Sequence, residues 1–222
     1  MYIQNNQTRP LKGSETILFL LLGLFYNGLG NGLAVATNMG SAAWTAAATN
    51  LQAFTLIPKG YFLFTFGILA ALTLILLTKE ISWPHLLGNL IFVSCFSYLV
   101  NFSSQMFAPV IGAPLWLRII LDLISIIMVG TGVSITMRVN VITHPLDDLV
   151  LYTRFKYLHG NAFVAQVINF TFPLIISLTI WYVSGTIKSV NLGTLISFFG
   201  QGLVIGWADT HVIRSLTFRK NF

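Results

Sequence analysis

Gly28-Leu-Gly30-Asn-Gly32, followed by Asn38 and Ala43-Trp44-Thr45, has a counterpart in Gly130-Thr-Gly132, Asn140 and Pro145-Leu146-Asp147. The corresponding positions lie 102 residues apart, and no gap is needed. The paired glycines and the asparagine are identical. Further on, Leu87-Gly88-Asn89-Leu90-Ile91 is echoed by Leu192-Gly193-Thr194-Leu195-Ile196, at an offset of 105. Self-similarity at a nearly fixed period is the mark of a repeated structural unit. Each copy holds three long apolar segments. Three is odd, so the second copy enters a membrane from the opposite side. Inverted repeats of this kind recur in transporters, with sites near the repeat interface.

Composition sets the class. The chain is 55% hydrophobic and 8% charged, with a mean hydropathy of +0.80. A soluble domain carries about 25% charged residues. The chain therefore reads as a polytopic membrane protein. The net charge of +6 comes from only 12 Lys and Arg, and it is no nucleic-acid signal. Cys95 is the single cysteine, so neither an intrachain disulfide nor a multi-cysteine metal site is available. The first apolar run lacks a small-residue cleavage motif and reads as a retained helix.

Bilayer-length apolar runs fall at about 15–37, 60–78, 84–105, 115–137, 162–184 and 190–209. The backbone bonds to itself inside a bilayer, so these runs are expected to be helices. The expected architecture is all-α: six transmembrane helices in a 3+3 inverted repeat. Repeat 1 covers about 15–105 and repeat 2 about 115–209, after a cytoplasmic segment 1–14. With the N-terminus inside, the inner segments hold Arg9, Lys12, Lys79, Arg138, Arg154, Lys156, Arg214, Arg219 and Lys220. The outer side holds Lys59, Arg118 and Lys188. This bias predicts that both termini are cytoplasmic. Tyr61, Trp83, Trp116, Tyr182 and Trp207 lie near span ends, as interfacial anchors do.

Several groups are candidates for chemistry. Gly28, Gly30, Gly32, Gly130 and Gly132 suit close helix packing, with Gly28 and Gly32 a small-xxx-small pair. The segment after the first helix is long, alanine-rich and almost uncharged. It reads as a short helix, re-entrant or interfacial, set apart from the helix core. Its Asn38, Trp44, Thr45, Thr49 and Asn50 combine neutral hydrogen bonding with one aromatic face, which suits a small polar organic solute. The related inner segment carries His144, Asp147, Asp148, Tyr152 and Arg154. It reads as an amphipathic, partly solvated cytoplasmic arm. Asp122 is the acidic residue well inside a span, with Arg118 one turn away as an ion-pair partner. It is either half of that pair or a ligand-coupled carboxylate. Asn101, Asn169 and Gln201 are further polar groups in spans. HExxH, GxSxG and Walker-type motifs are missing, so no enzymatic set and no nucleotide module is expected. No metal or other cofactor is expected either.

The two turns Gly40-Ser-Ala-Ala43-Trp44-Thr45 and Ile142-Thr-His-Pro145-Leu146-Asp147 follow Gly-rich helices. With the Leu-Gly-x-Leu-Ile helices they resemble the YczE/YyaS/YitT group of bacterial integral membrane proteins, closest to the YczE-like branch. That branch has a G-x-x-P-W-D-type turn. Ala43 and Thr45 stand here where its proline and aspartate are usual, so the outer copy lacks that aspartate. The resemblance implies the fold and a bacterial plasma-membrane location. The six-helix architecture also resembles the substrate-binding S-components of energy-coupling-factor vitamin transporters. That likeness implies an outer cap over the solute, built on the Trp44 segment. It also implies docking to an ATPase pair and a membrane scaffold through faces such as Gly28/Gly32 or Ala42/Ala46.

The expected function is a membrane transport component, without enzymatic activity, that binds and helps take up a small organic nutrient such as a vitamin. Its expected surroundings are the lipid bilayer and either those ATPase and scaffold subunits or further copies of itself. The binding residues expected are Asn38, Trp44, Thr45, Thr49, Asn50, Asn101 and Asp122. The alternative is a non-transporting accessory or signalling protein acting through residues 138–160.

Overall fold

The computed structural model describes residues 1–4, 7–79 and 82–218. Arg219 and Lys220, counted above among the inner basic residues, lie outside the described residues. A hairpin of β1 (Tyr2–Gln4) and β2 (Gln7–Arg9) precedes eight α-helices among the described residues. These are α1 (Gly13–Thr37), α2 (Ala43–Thr55), α3 (Lys59–Thr78), α4 (Trp83–Met106), α5 (Leu115–Val139), α6 (Pro145–Tyr157), α7 (Ala162–Ser184) and α8 (Leu192–His211). The order is long, short, long, long, and then the same again. Adding 102 to the bounds of α1 and α2 gives those of α5 and α6.

The recurring residues have local causes. Asn38 and Asn140 end α1 and α5 in the left-handed conformation, at φ 50° and 46°. Asparagine tolerates that geometry better than most side chains. Pro145 opens α6, where its missing N–H costs nothing. Each of the six apolar runs is a helix whose ends lie within two residues of the expected ones. Five helices, α1, α3, α4, α5 and α7, are long and apolar enough to cross a membrane. The 20-residue α8 is not among them; it carries Thr194, Ser197, Gln201 and Asp209.

α1 and α5 cross antiparallel at the centre. A Cβ added at Gly132 would stand 2.5 Å from the Asn27 amide nitrogen and 2.6 Å from the Gly23 carbonyl oxygen. One at Gly30 would stand 2.9 Å from the Ser125 carbonyl oxygen. The neighbouring glycines face outward from that crossing: Gly28 onto Leu99 of α4, and Gly130 onto Val204 of α8. Equivalent glycines thus serve equivalent contacts. Lipid offers helices no hydrophobic drive to associate, so this close van der Waals approach carries the packing. Gly28 and Gly32 are both consumed inside the bundle, Gly32 against Ser103. They are not available as a docking face. Ala46 is buried as well.

The second repeated block clasps the turn before the opposite short helix. Asn89 of α4 accepts from the Thr143 amide at 3.2 Å, and Gly88 packs on Ile142. Thr194 of α8 accepts from the Ser41 amide at 3.1 Å and donates to its carbonyl at 2.9 Å. The amide of Gly193 donates to Met39 O at 2.8 Å. Each Leu-Gly-x segment therefore holds the turn before the short helix in the other half of the chain.

Neither short helix is a loose arm. α2 packs on α3 and α7, with Ala43, Ala46, Ala47 and Ala48 buried. Asn50 fastens its far half, donating to Lys188 O and accepting from Lys188 N, both at 2.7 Å. α6 packs on α3 and α7, and its Asp148 and Arg154 are buried rather than solvated. The expected charged arm is corrected accordingly. Asp148 is held by His85 at 2.5 Å, Asn89 at 2.6 Å and Thr143 at 2.5 Å. Arg154 pairs with Asp209 at 2.7 Å. Arg138, fully buried, lies 3.9 Å from Asp209 and donates to Val212 O and Leu216 O at the end of α8. A cation at a helix C-terminus meets the negative end of its dipole. The hairpin closes this side: Ile3 N donates to Ser215 O at 2.7 Å.

Candidate solute cavity

A cavity of about 510 Å³ is lined by residues from both halves of the chain. α1 contributes Asn27 and Asn31, α4 Ser97, Asn101 and Ser104, α7 Gln166 and Asn169, and α8 Gln201. Gln201 lies at the middle of α8, whereas Gln166 lies near the start of α7 and Ser104 near the end of α4. Leu63 and Phe64 of α3 and Val93 and Phe96 of α4 add apolar lining, and Lys59, which is exposed, lines the cavity as well. Both short helices start against this space, with Ser41, Ala42, Trp44 and Thr45 at α2 and His144, Leu146 and Asp147 at α6. Both starts lie beside the middle of α3, where the Trp44 ring is 5.0 Å from Phe66 and Pro145 faces Gly67. A void of about 20 Å³, room for one water, adjoins it beside Asp122, sharing Asn31, Ser41, Ala42 and Gln201.

The polar lining is incompletely satisfied from within. Asn31 donates to Asn27 Oδ1 at 2.8 Å, and Ser197 donates to Gln201 Oε1 at 3.0 Å. Gln166, however, is 2% exposed and its Oε1 has no partner. Ser41 Oγ and Trp44 Nε1 are buried without partners too. A buried polar group left unpaired costs about 1–3 kcal/mol, so such a cluster points to a missing ligand or water.

The two helix starts differ in charge. α2 begins at Ala42 with no side-chain cap and no acidic residue in its first turn. α6 begins at His144, whose ring accepts from Leu146 N, with Asp147 and Asp148 following. Burial, and secondly the neighbouring Asp148 charge, push the Asp147 carboxyl up to about 7. Burial also holds the His144 imidazole down at about 4. α6 is not one of the membrane-crossing helices.

Of the expected binding residues, Trp44, Thr45 and Asn101 line the cavity. Asp122 lines only the small void, where it accepts from the Thr37 hydroxyl at 3.1 Å. Its expected pairing with Arg118 does not form. Arg118 instead donates to Thr37 O at 2.6 Å and Asn38 O at 3.2 Å, at the negative end of α1. Asn38 is the exposed cap of α1, Thr49 bonds to its own helix at Thr45 O, and Asn50 holds the 188 backbone. None of these three lines the cavity. Trp44 is not apart from the core: its ring lies 5.0 Å from Phe66 and 5.9 Å from Phe172. Of the faces expected to dock a partner, Ala42 lines the cavity.

The residues that sequence reasoning missed as a group are Asn27, Asn31, Ser97, Gln166, Asn169 and Gln201. Their signal was helical spacing. Asn27/Asn31 and Ser97/Asn101/Ser104 recur at three and four residues, which puts each set on one helix face.

No solved structure matches the chain. An uncharacterized protein of Haemophilus influenzae is 26% identical over 137 residues, covering 62% of this chain and 60% of that relative. The match thus spans less than two thirds of the relative's length. A family of unknown function, DUF6198, matches residues 14–210, and the chain belongs to that family.

Proposed function

We propose that this protein is a membrane transport protein that holds a small polar organic solute in the cavity between two inverted repeats. The observation carrying this reading is the cavity of about 510 Å³ with amide and hydroxyl groups on four helices and buried partnerless atoms at Ser41, Trp44 and Gln166. Its volume is in the range of small-molecule sites. The inverted duplication is supported by the antiparallel glycine crossing and the reciprocal clasps of Asn89 and Thr194. On this reading α8 is the sixth span, made less apolar by the cavity and by Asp209. A midplane site at the meeting of two repeats is a transporter arrangement.

The site is central rather than under an outer lid. The S-component form of the reading, with its ATPase and scaffold partners, is therefore set aside in favour of a carrier acting alone or as an oligomer. The accessory alternative would act through Lys156, Tyr157 and His159, which are exposed, since Asp148 and Arg154 are buried. Kinship with the YczE-like branch and a bacterial plasma-membrane location are part of the proposal, supported by the two turns.

Native mass spectrometry of the gently purified protein tests the solute. Wild type is expected to retain a small molecule. Gln166→Leu removes a buried unpaired oxygen, so its folded yield is expected to match wild type. Its solute retention is expected to fall at least about tenfold, equivalent to ~1.4 kcal/mol. Equal retention by both proteins contradicts the assignment.

The orientation proposed has both termini cytoplasmic. In a Cys95→Ser background, cysteines at Ser14, Thr78 and Ser215 are expected to be shielded from an impermeant thiol reagent in intact cells. Cysteines at Thr55 and Ser189 are expected to react. Reaction of the first group reverses the orientation.

A further inference from the structure

We infer that the cavity takes a zwitterionic solute of the α-amino-acid type, its carboxylate at the open start of α2 and its ammonium against Asp147. This rests on the cavity being a solute site, as argued above, and adds the charge pattern of the ligand.

The start of α2 is a cluster of donors without acceptors. The amides of Ala43, Trp44 and Thr45 have no acceptor among the described residues. Ser41, only 8% exposed, offers a partnerless hydroxyl, and Trp44 a partnerless indole N–H. The cap is alanine and no carboxylate neutralises the first turn. A helix N-terminus carries roughly half a positive charge, and its free amides point at an anion. A carboxylate placed there accepts from donors that no other described residue satisfies.

The related helix start has the opposite character. Asp148 is fully engaged by His85, Asn89 and Thr143. Asp147 also lines the cavity, but it has no hydrogen bond or ion pair among the described residues. The partnerless Gln166 Oε1 is a further acceptor. The position equivalent to Asp147 in the first half is Thr45, so the acid stands at one of the two helix starts only. A simple anion would leave Asp147 unpaired, and a simple cation would leave the α2 donors unpaired. A neutral solute would do both. A ligand with an acceptor-only and a donor-only group on one carbon answers both helix starts, and the surrounding amide groups accommodate a polar side chain.

Calorimetry on the purified full chain in nanodiscs tests this with two probe triplets. One is L-glutamine, 4-aminobutanamide and glutaramate; the other is L-leucine, isopentylamine and 4-methylpentanoate. In each triplet the second probe lacks the carboxylate and the third lacks the ammonium. At least one amino acid is expected to bind, and loss of either charged group is expected to weaken it tenfold or more. Asp147→Asn is expected to bring the amino acid down to the affinity of its deaminated acid. Thr45→Asp is expected to abolish the preference for the carboxylate. An amine or acid that binds as tightly as its amino acid overturns the inference. So does a retained natural solute, found by native mass spectrometry, that lacks either charge; the cavity assignment then stands without it. If no probe binds and no solute is retained, both fall together.

Discussion

Asp209→Asn is expected to be the most damaging single change in this protein. Arg138 is fully buried and Arg154 nearly so, and Asp209 is the carboxylate that faces both. Ser134 donates to the same carboxylate at 2.7 Å, which ties α5 to α8. Removing the acid leaves two guanidinium groups in a low-dielectric interior without a counter-charge. Breaking a buried pair by deleting one partner typically costs about 3–5 kcal/mol. Arg138 keeps its carbonyl acceptors at the end of α8, so the loss is concentrated on Arg154 and on the α6 contact. Folded yield in mild detergent and the thermal midpoint are the readouts. The double variant Asp209→Asn, Arg154→Met should recover much of the loss, because it removes the stranded charge as well. A single variant as stable as wild type would mean that water or lipid headgroups solvate the network.

Gly132→Ala is the second. One methyl group would fall 2.5 Å from the Asn27 nitrogen and 2.6 Å from the Gly23 oxygen, both backbone atoms of α1. Backbone cannot rotate aside as a side chain can. The central helices must separate, and the packing along their crossing weakens with them. Overpacking usually costs about 1–3 kcal/mol, and the upper end is expected here. Gly60→Ala is the control: nothing lies within 4 Å of its added Cβ. Equal midpoints for the two variants would contradict the antiparallel crossing.

Much of this architecture is legible in the sequence. The six helices follow from apolar length, and the 102-residue offset recurs in the observed bounds of the first two helices of each half. The two Leu-Gly-x blocks were visible as an echo, and the structure gives their cause: each clasps the other copy's turn. The short helices were legible as helices but not in their surroundings. A run such as Ala43–Ala48 reads alike whether it lies on an interface or inside a bundle. Charge misled for a similar reason. Arg154 looks solvated until Asp209, 55 positions later, is brought against it by tertiary structure. Arg118 and Asp122 stand one turn apart, yet each finds a better partner on α1. The hairpin at Tyr2–Arg9 has no sequence signal, since its two three-residue strands lean on Ser215 and Leu216. The cavity was half visible. Asn101, Asn169 and Gln201 read singly as interhelical hydrogen-bonding groups, and only the fold gathers them around one space.

Polar solute and water reach the middle of the bundle on this reading. That access is tested most directly by cysteine accessibility in a Cys95→Ser protein reconstituted in lipid. Ser97 and Asn101 line the cavity, whereas Phe102 on the same helix is 52% exposed yet lies outside the lining. A small hydrophilic methanethiosulfonate reagent is expected to modify cysteines at Ser97 and Asn101 and to spare one at Phe102, which faces lipid. Equal protection of all three positions, or reaction at Phe102 alone, would contradict a water-accessible cavity between the repeats.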